Sequence, residues 1–216
     1  MPQTELEVNP RLRGQKPSRF LAFLRSRIGF GTLRVWTCSG LRTAYVLFVL
    51  HLGTRRILLA EATFSPRGQW MRQMGRNLLM VCDDLGLTPQ IVVHDRDGLL
   101  VHDLDVTLGT AGVEIVKTPF RAPDANAHAE RWVGSVTREC LDQLILVGLG
   151  SLQRTLRIYR EFFNGHRPHQ GIANRIPGRQ SARELNHTCD LPEGKLTVEC
   201  EQFLGGLLNS YYRKAA

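Results

Sequence analysis

The first 82 residues contain no aspartate, and their only carboxylates are Glu5, Glu7 and Glu61. Long apolar runs are also missing. The longest, residues 44–50, falls far short of the roughly 20 residues that a spanning helix needs, and residues 1–10 lack the apolar core of a secretory leader. Both features point to a cytoplasmic protein without a membrane partner. Five cysteines (Cys38, Cys82, Cys140, Cys189 and Cys200) lie far apart with no C-x-x-C pair, which argues against a disulfide framework and against a thiolate zinc site. Aromatic residues make up only 7%.

What is present is an ordinary globular composition with a surplus of positive charge. The chain has 216 residues, of which 43% are apolar and 22% charged, which excludes a wholly disordered or collagen-like chain and supports a real core. Lys+Arg number 28 against 20 Asp+Glu, a net charge of +8, and such a balance favours a polyanionic partner through phosphate neutralisation. Much of it lies early. Arg11, Arg13, Lys16, Arg19, Arg25, Arg27 and Arg34 face only Glu5 and Glu7, so residues 1–34 read as a basic N-terminal arm, whose one helical hint, Phe20, Leu21, Phe23 and Leu24, is cut short by Gly29 and Gly31.

Beyond the arm the pattern becomes regular. Residues 44–51 form a continuous run rich in β-branched and aromatic side chains, as in a strand covered on both faces, and residues 56–63 follow a Gly-Thr turn to complete a hairpin. Trp70, Met74, Leu78 and Cys82 recur every four positions and predict an amphipathic helix. A short strand at 90–94 ends in the turn Asp95-Arg-Asp-Gly98, and a short helix or loop leads to another strand at 113–117. The prolines of 118–125 forbid a ladder there. A helix capped by Asp124 carries Trp132, Val136 and Cys140 in line, and Leu152, Leu156, Tyr159 and Phe163 mark one more. The order predicts an α/β fold, a mixed sheet with helices on its faces. Domains are expected at 1–34 (arm), 35–171 (core) and 172–216 (an extended C-terminal tail with an apolar patch at Phe203, Leu204, Leu207 and Leu208).

Two carboxylates stand at suggestive places: Asp95 after a central strand, where open α/β sheets place their functional crevice, and Glu130 early in a helix. Taken singly, an Asp in a turn serves the turn and a Glu in a first helical turn serves the macrodipole. Their surroundings say more. The stretches HDRDG (94–98), TPFRAPDANAHAERW (118–132) and FNGHRPHQG (163–171), with YVLFVLHLGTRRILLA (45–60) and the ending FLGGLLNSYYRKAA, resemble the integrase core of bacterial insertion-sequence transposases, in the retroviral-integrase superfamily.

The resemblance implies a ribonuclease-H-like fold and a three-carboxylate site holding two Mg²⁺ or Mn²⁺ ions for phosphodiester strand transfer. Asp95 matches the second acid and Glu130 the third, with Asn126 one helical turn before it. It also implies DNA as partner, with or without a second copy of the chain, and a place at the bacterial nucleoid. Lys117, Arg121, Arg131 and Arg167 are the expected nucleic-acid contacts. The family's first acid, on the strand before Tyr45, has no counterpart, and Val35, Thr37 or a neighbour is expected in its space. The chain therefore reads as a degenerate strand-transferase relative without activity, the alternative being a non-catalytic DNA-binding or partner-binding module. Asp97 and Asp103 read as solvated turn residues. The cluster Asn164, His166, Arg167 and His169 reads as structural or phosphate-facing rather than as a zinc site, for want of ligand spacing.

Overall fold

A computed structural model describes residues 24–94, 98–117, 127–178 and 197–214. A five-stranded mixed sheet forms its centre, in the order β3-β2-β1-β4-β5. The strands are β1 (Leu24–Thr37), β2 (Gly40–His51), β3 (Ile57–Thr63), β4 (Pro89–His94) and β5 (Glu114–Lys117). β1 pairs antiparallel with β2 and parallel with β4. β2 pairs antiparallel with β3, and β4 parallel with β5. Helices α1 (Gln69–Asp84) and α2 (Gly98–Thr110) cover one face, and α3 (Ala127–Glu139) and α4 (Gly148–Gly165) the other. This is the α/β arrangement expected: a mixed sheet flanked by helices.

Alternation along β2 supplies both cores. Leu47 and Val49 pack with Met71, Leu78 and Leu104 on the α1/α2 side, while Val46, Phe48 and Leu50 pack with Trp132, Leu156 and Tyr159 on the α3/α4 side. Of the expected α1 stripe, Met74, Leu78 and Cys82 are buried, while Trp70 is half-buried and Met71 takes the buried place beside it.

Two expectations change. The sequence reading bounds the basic arm at residue 34, yet β1 begins at Leu24 and is the central strand of the sheet. Gly29 and Gly31 lie within it and are held by β2, which pairs with every residue from Ser26 to Thr37, while β4 pairs with Leu24 to Arg27 on the other side. The C-terminal segment is not merely extended. β6 (Thr197–Phe203) and β7 (Leu208–Lys214) form an antiparallel hairpin, whose Phe203, Leu204 and Leu207 pack on the α3/α4 core and whose Leu208 is buried in it. The expected apolar patch is thus a docking surface of the hairpin.

Candidate nucleic-acid interface

The carboxyl ends of β4 and β5, where the parallel strands of the sheet finish, carry His94 and Lys117 opposite each other in register. His94 is buried and stands 2.9 Å from Asp105 of α2, on the α1/α2 side. Lys117 is exposed on the edge strand. Asp95 follows His94 but lies outside the described residues, as do Asp97, Arg121 and Asn126.

On β1 the parallel register ends at Arg27 opposite Val93, so Ile28 is level with His94 and Gly29 comes one step later. Side chains of odd number on β1 face α3 and α4, since Leu33 and Val35 pack in that core while Ile28 and Phe30 pack in the other. The two β1 residues nearest the carboxyl end of β4 on the α3 side are therefore Arg27 and Gly29. Arg27 is only 2% exposed. Gly29 pairs with Phe48, whose ring lies over it: an added Cβ would be 2.6 Å from Phe48 Cε1. The same ring packs on Trp132 of α3, 4.3 Å between centroids. Val35 and Thr37 lie seven and nine residues beyond Ile28, roughly 20 Å or more along the strand at about 3.3 Å per residue, so neither occupies the space expected of them.

Glu130 falls in the first turn of α3 between buried Ala129 and Trp132, and its side chain is exposed. A carboxylate there suits the helix N-terminus. The charge around this end of α3 is positive. Burial lowers the pKa of His128, and Arg55, Arg131 and Arg27 lower it further. Glu61, the one acid of β2 or β3, sits on the edge strand β3, with β2 and β1 between it and β4.

A pair of divalent metals needs several hard carboxylate oxygens. The β1 sequence LRSRIGFGTLRVWT offers none, and it presents a buried arginine instead. Among the described residues no group of three His, Cys, Asp or Glu side chains could hold a metal ion. Among the described residues, which do not include Asp95, the donors present do not make up a two-metal set.

The remaining candidates have mostly structural partners. Arg167 makes a two-pronged ion pair with Glu139, at 3.0 Å through Nε, and Tyr159 donates to the same carboxylate at 2.9 Å. The main-chain N–H of His166 donates to Phe162 O at 2.9 Å, ending α4. Asn164 accepts from the Ile57 N–H and donates to the Ile57 carbonyl, both at 2.8 Å. Asp103 is a helical residue of α2 paired with Arg72 of α1 at 2.6 Å, not a turn residue. Arg131 is exposed on α3. Sequence reading missed Arg55 and Arg138 as functional candidates and placed Arg27 in the arm. The Gly-Thr turn before Arg55 was the available signal, since such a turn aims the residues that follow it.

Residues 111–177 match the model of the integrase core domain family, a stretch that runs from before β5 through α3 and α4 and contains two of the three motifs above. No curated protein matches the chain. Among solved structures, the catalytic core domain of BIV integrase is similar over 71% of this chain and 90% of that one, at 12% identity and a TM-score of 0.49. No helix among the described residues is long and apolar enough to cross a membrane. It is thus over residues 111–177, the part that carries Glu130 and the HRPHQG segment, that this chain is similar to integrase core domains.

Proposed function

We propose that the protein is an insertion-sequence integrase-core relative that binds DNA through its backbone phosphates and does not carry out two-metal strand transfer. One observation supports this above the others: the face of β1 that looks toward α3 presents Arg27 and Gly29 where the two-metal reaction needs a carboxylate. An arginine in place of a carboxylate there removes one of the hard oxygen ligands that Mg²⁺ requires. The family match over 111–177 and the net charge of +8 make DNA the anion of choice.

The test is equilibrium binding of a labelled DNA duplex, with Mg²⁺ and with a chelator, at matched ionic strength. The expected result is the same affinity in both, falling steeply between low and physiological salt. Affinity that requires the metal and disappears in Glu130→Gln would overturn the reading, and so would absence of binding at low salt.

A further inference from the structure

The flank of α3 turned away from Glu130 borders a cleft of about 510 Å³. Arg131, Trp132 and Arg138 line it from α3, spaced so that they share one side of the helix, whereas Glu130 is out of phase with them and does not. Arg55 enters from the turn between β2 and β3, and Arg167 and His169 from the segment after α4. The lining contains four arginines and no acid.

Arginines that serve a fold usually meet carboxylates, as Arg72 meets Asp103 at 2.6 Å on the opposite face of this protein. Here only Arg167 does. Glu139 is fully engaged by it and by Tyr159, so among the described residues no acid pairs with Arg55, Arg131 or Arg138. Burial, and then the charge of Arg131, makes Arg55 harder to keep protonated than a free arginine, a sign of how close the like charges stand. The backbone brings Arg55 there at a cost. Its φ is +62°, a left-handed conformation unfavourable for a residue with a side chain, held by its N–H donating to His51 O at 2.9 Å. His169 hydrogen-bonds the Phe163 backbone, and burial with Arg167 lowers its pKa to about 4, so the positive charge of the cleft at neutral pH belongs to the arginines.

A second observation points to a ligand. The indole N–H of Trp132, a residue only 3% exposed that lines the cleft, has no hydrogen-bond partner among the described residues. Buried polar atoms are ordinarily paired, and a donor left open beside three uncompensated guanidiniums suits an oxyanion.

We propose that this cleft is a phosphate-binding site, in which Arg55, Arg131 and Arg138 hold a phosphate of a nucleic-acid strand and the Trp132 indole supplies a neutral donor. Arg167 is a positioning residue, fixed by Glu139 at the wall. The strand as source of the phosphate rests on the function proposed above; the anion site itself does not.

The test uses the full chain with ¹⁵N-labelled tryptophan. The indole resonance of Trp132 is identified by its loss in Trp132→Phe, with Trp36 and Trp70 as internal references. Inorganic phosphate and a short single-stranded oligonucleotide are titrated separately. The expected result is a saturable shift of the Trp132 resonance with each probe. The shift should disappear in the Arg55→Glu/Arg131→Glu chain, with oligonucleotide affinity lowered on the order of tenfold and the salt slope reduced by about 0.7 for the one phosphate lost. Arg131→Lys, which keeps the charge on an exposed helical position, should retain the shift and serves as the folded control. A shift with phosphate alone would overturn the strand as the source. Oligonucleotide binding with Trp132 unmoved, or moved equally in the double variant, would overturn the site while leaving nucleic-acid binding intact. No response to either probe at low salt would overturn both.

Discussion

An aspartate cannot simply be put back at Gly29. An added Cβ would meet the Phe48 ring, which is itself packed against Trp132, so Gly29→Asp must push the ring out of a filled core and bury a charge beside Phe48. The expected outcome is a loss of about 1–3 kcal/mol, read as a lower melting temperature that Mn²⁺ does not restore; a melting temperature raised by Mn²⁺ in this variant but not in the parent would show that a metal site had been rebuilt. His169 makes a prediction of the opposite kind, about the protein as it is. Its folded pKa of about 4 lies below the ordinary 6.5, so between those values the folded chain binds fewer protons than the unfolded chain. Its contribution is complete above pH 6.5 and is lost as the pH falls toward 4. His51 and His128 are shifted the same way, each first by burial. Denaturant melts at several pH values should therefore show stability falling over this window, with a shallower fall in His169→Gln; an identical slope in the variant would contradict the assignment. At this scale the sequence was legible as an absence. It showed that no acid precedes Asp83 apart from Glu5, Glu7 and Glu61, but which residue fills the gap depends on the register of β1 against β4, and no local pattern in LRSRIGFGTLRVWT encodes that.

Strand β1 and the C-terminal hairpin are the elements that periodicity did not reveal, and they share a cause. Both have weak intrinsic strand signals, with glycines and charges where β-branched residues would be expected, and both gain their conformation from partners distant in sequence. By contrast β2, β3, α1, α3 and α4 announce themselves, because each buries a face whose spacing is written locally. The junction of α4 with the sheet shows how one side chain can replace a strand. Asn164 hydrogen-bonds both the N–H and the carbonyl of Ile57 at the start of edge strand β3, and Ile57 is only 1% exposed, so water cannot take over either group. Asn164→Ala should cost about 2 kcal/mol or more. Asn164→Asp keeps the acceptor and loses the donor, so its effect should be smaller at low pH, where the acid can donate. Urea unfolding of the two variants measures this, and an unchanged midpoint in Asn164→Ala would remove the bridging role.

At the scale of the molecule, the function proposed above rests on how charge is distributed over the described residues. The α3 side of β1 carries a buried arginine, the carboxyl ends of β4 and β5 carry His94 and Lys117, and the far flank of α3 faces a cleft with four arginines. Of this, the net charge and the integrase-core motifs were legible in the sequence, whereas the convergence of Arg55, Arg131 and Arg138 was not, because it joins residues more than 70 positions apart. On the proposed reading, the described residues carry the electrostatics of an anion binder. The claim is tested most directly by incubating the unmodified protein with supercoiled plasmid in Mg²⁺ and in Mn²⁺, beside a chelator control. The account predicts no nicking above that control with either metal, while the plasmid is retarded in a gel at low salt. Metal-dependent nicking that is lost in Glu130→Gln would contradict it, and would mean that another residue supplies the ligand that β1 lacks.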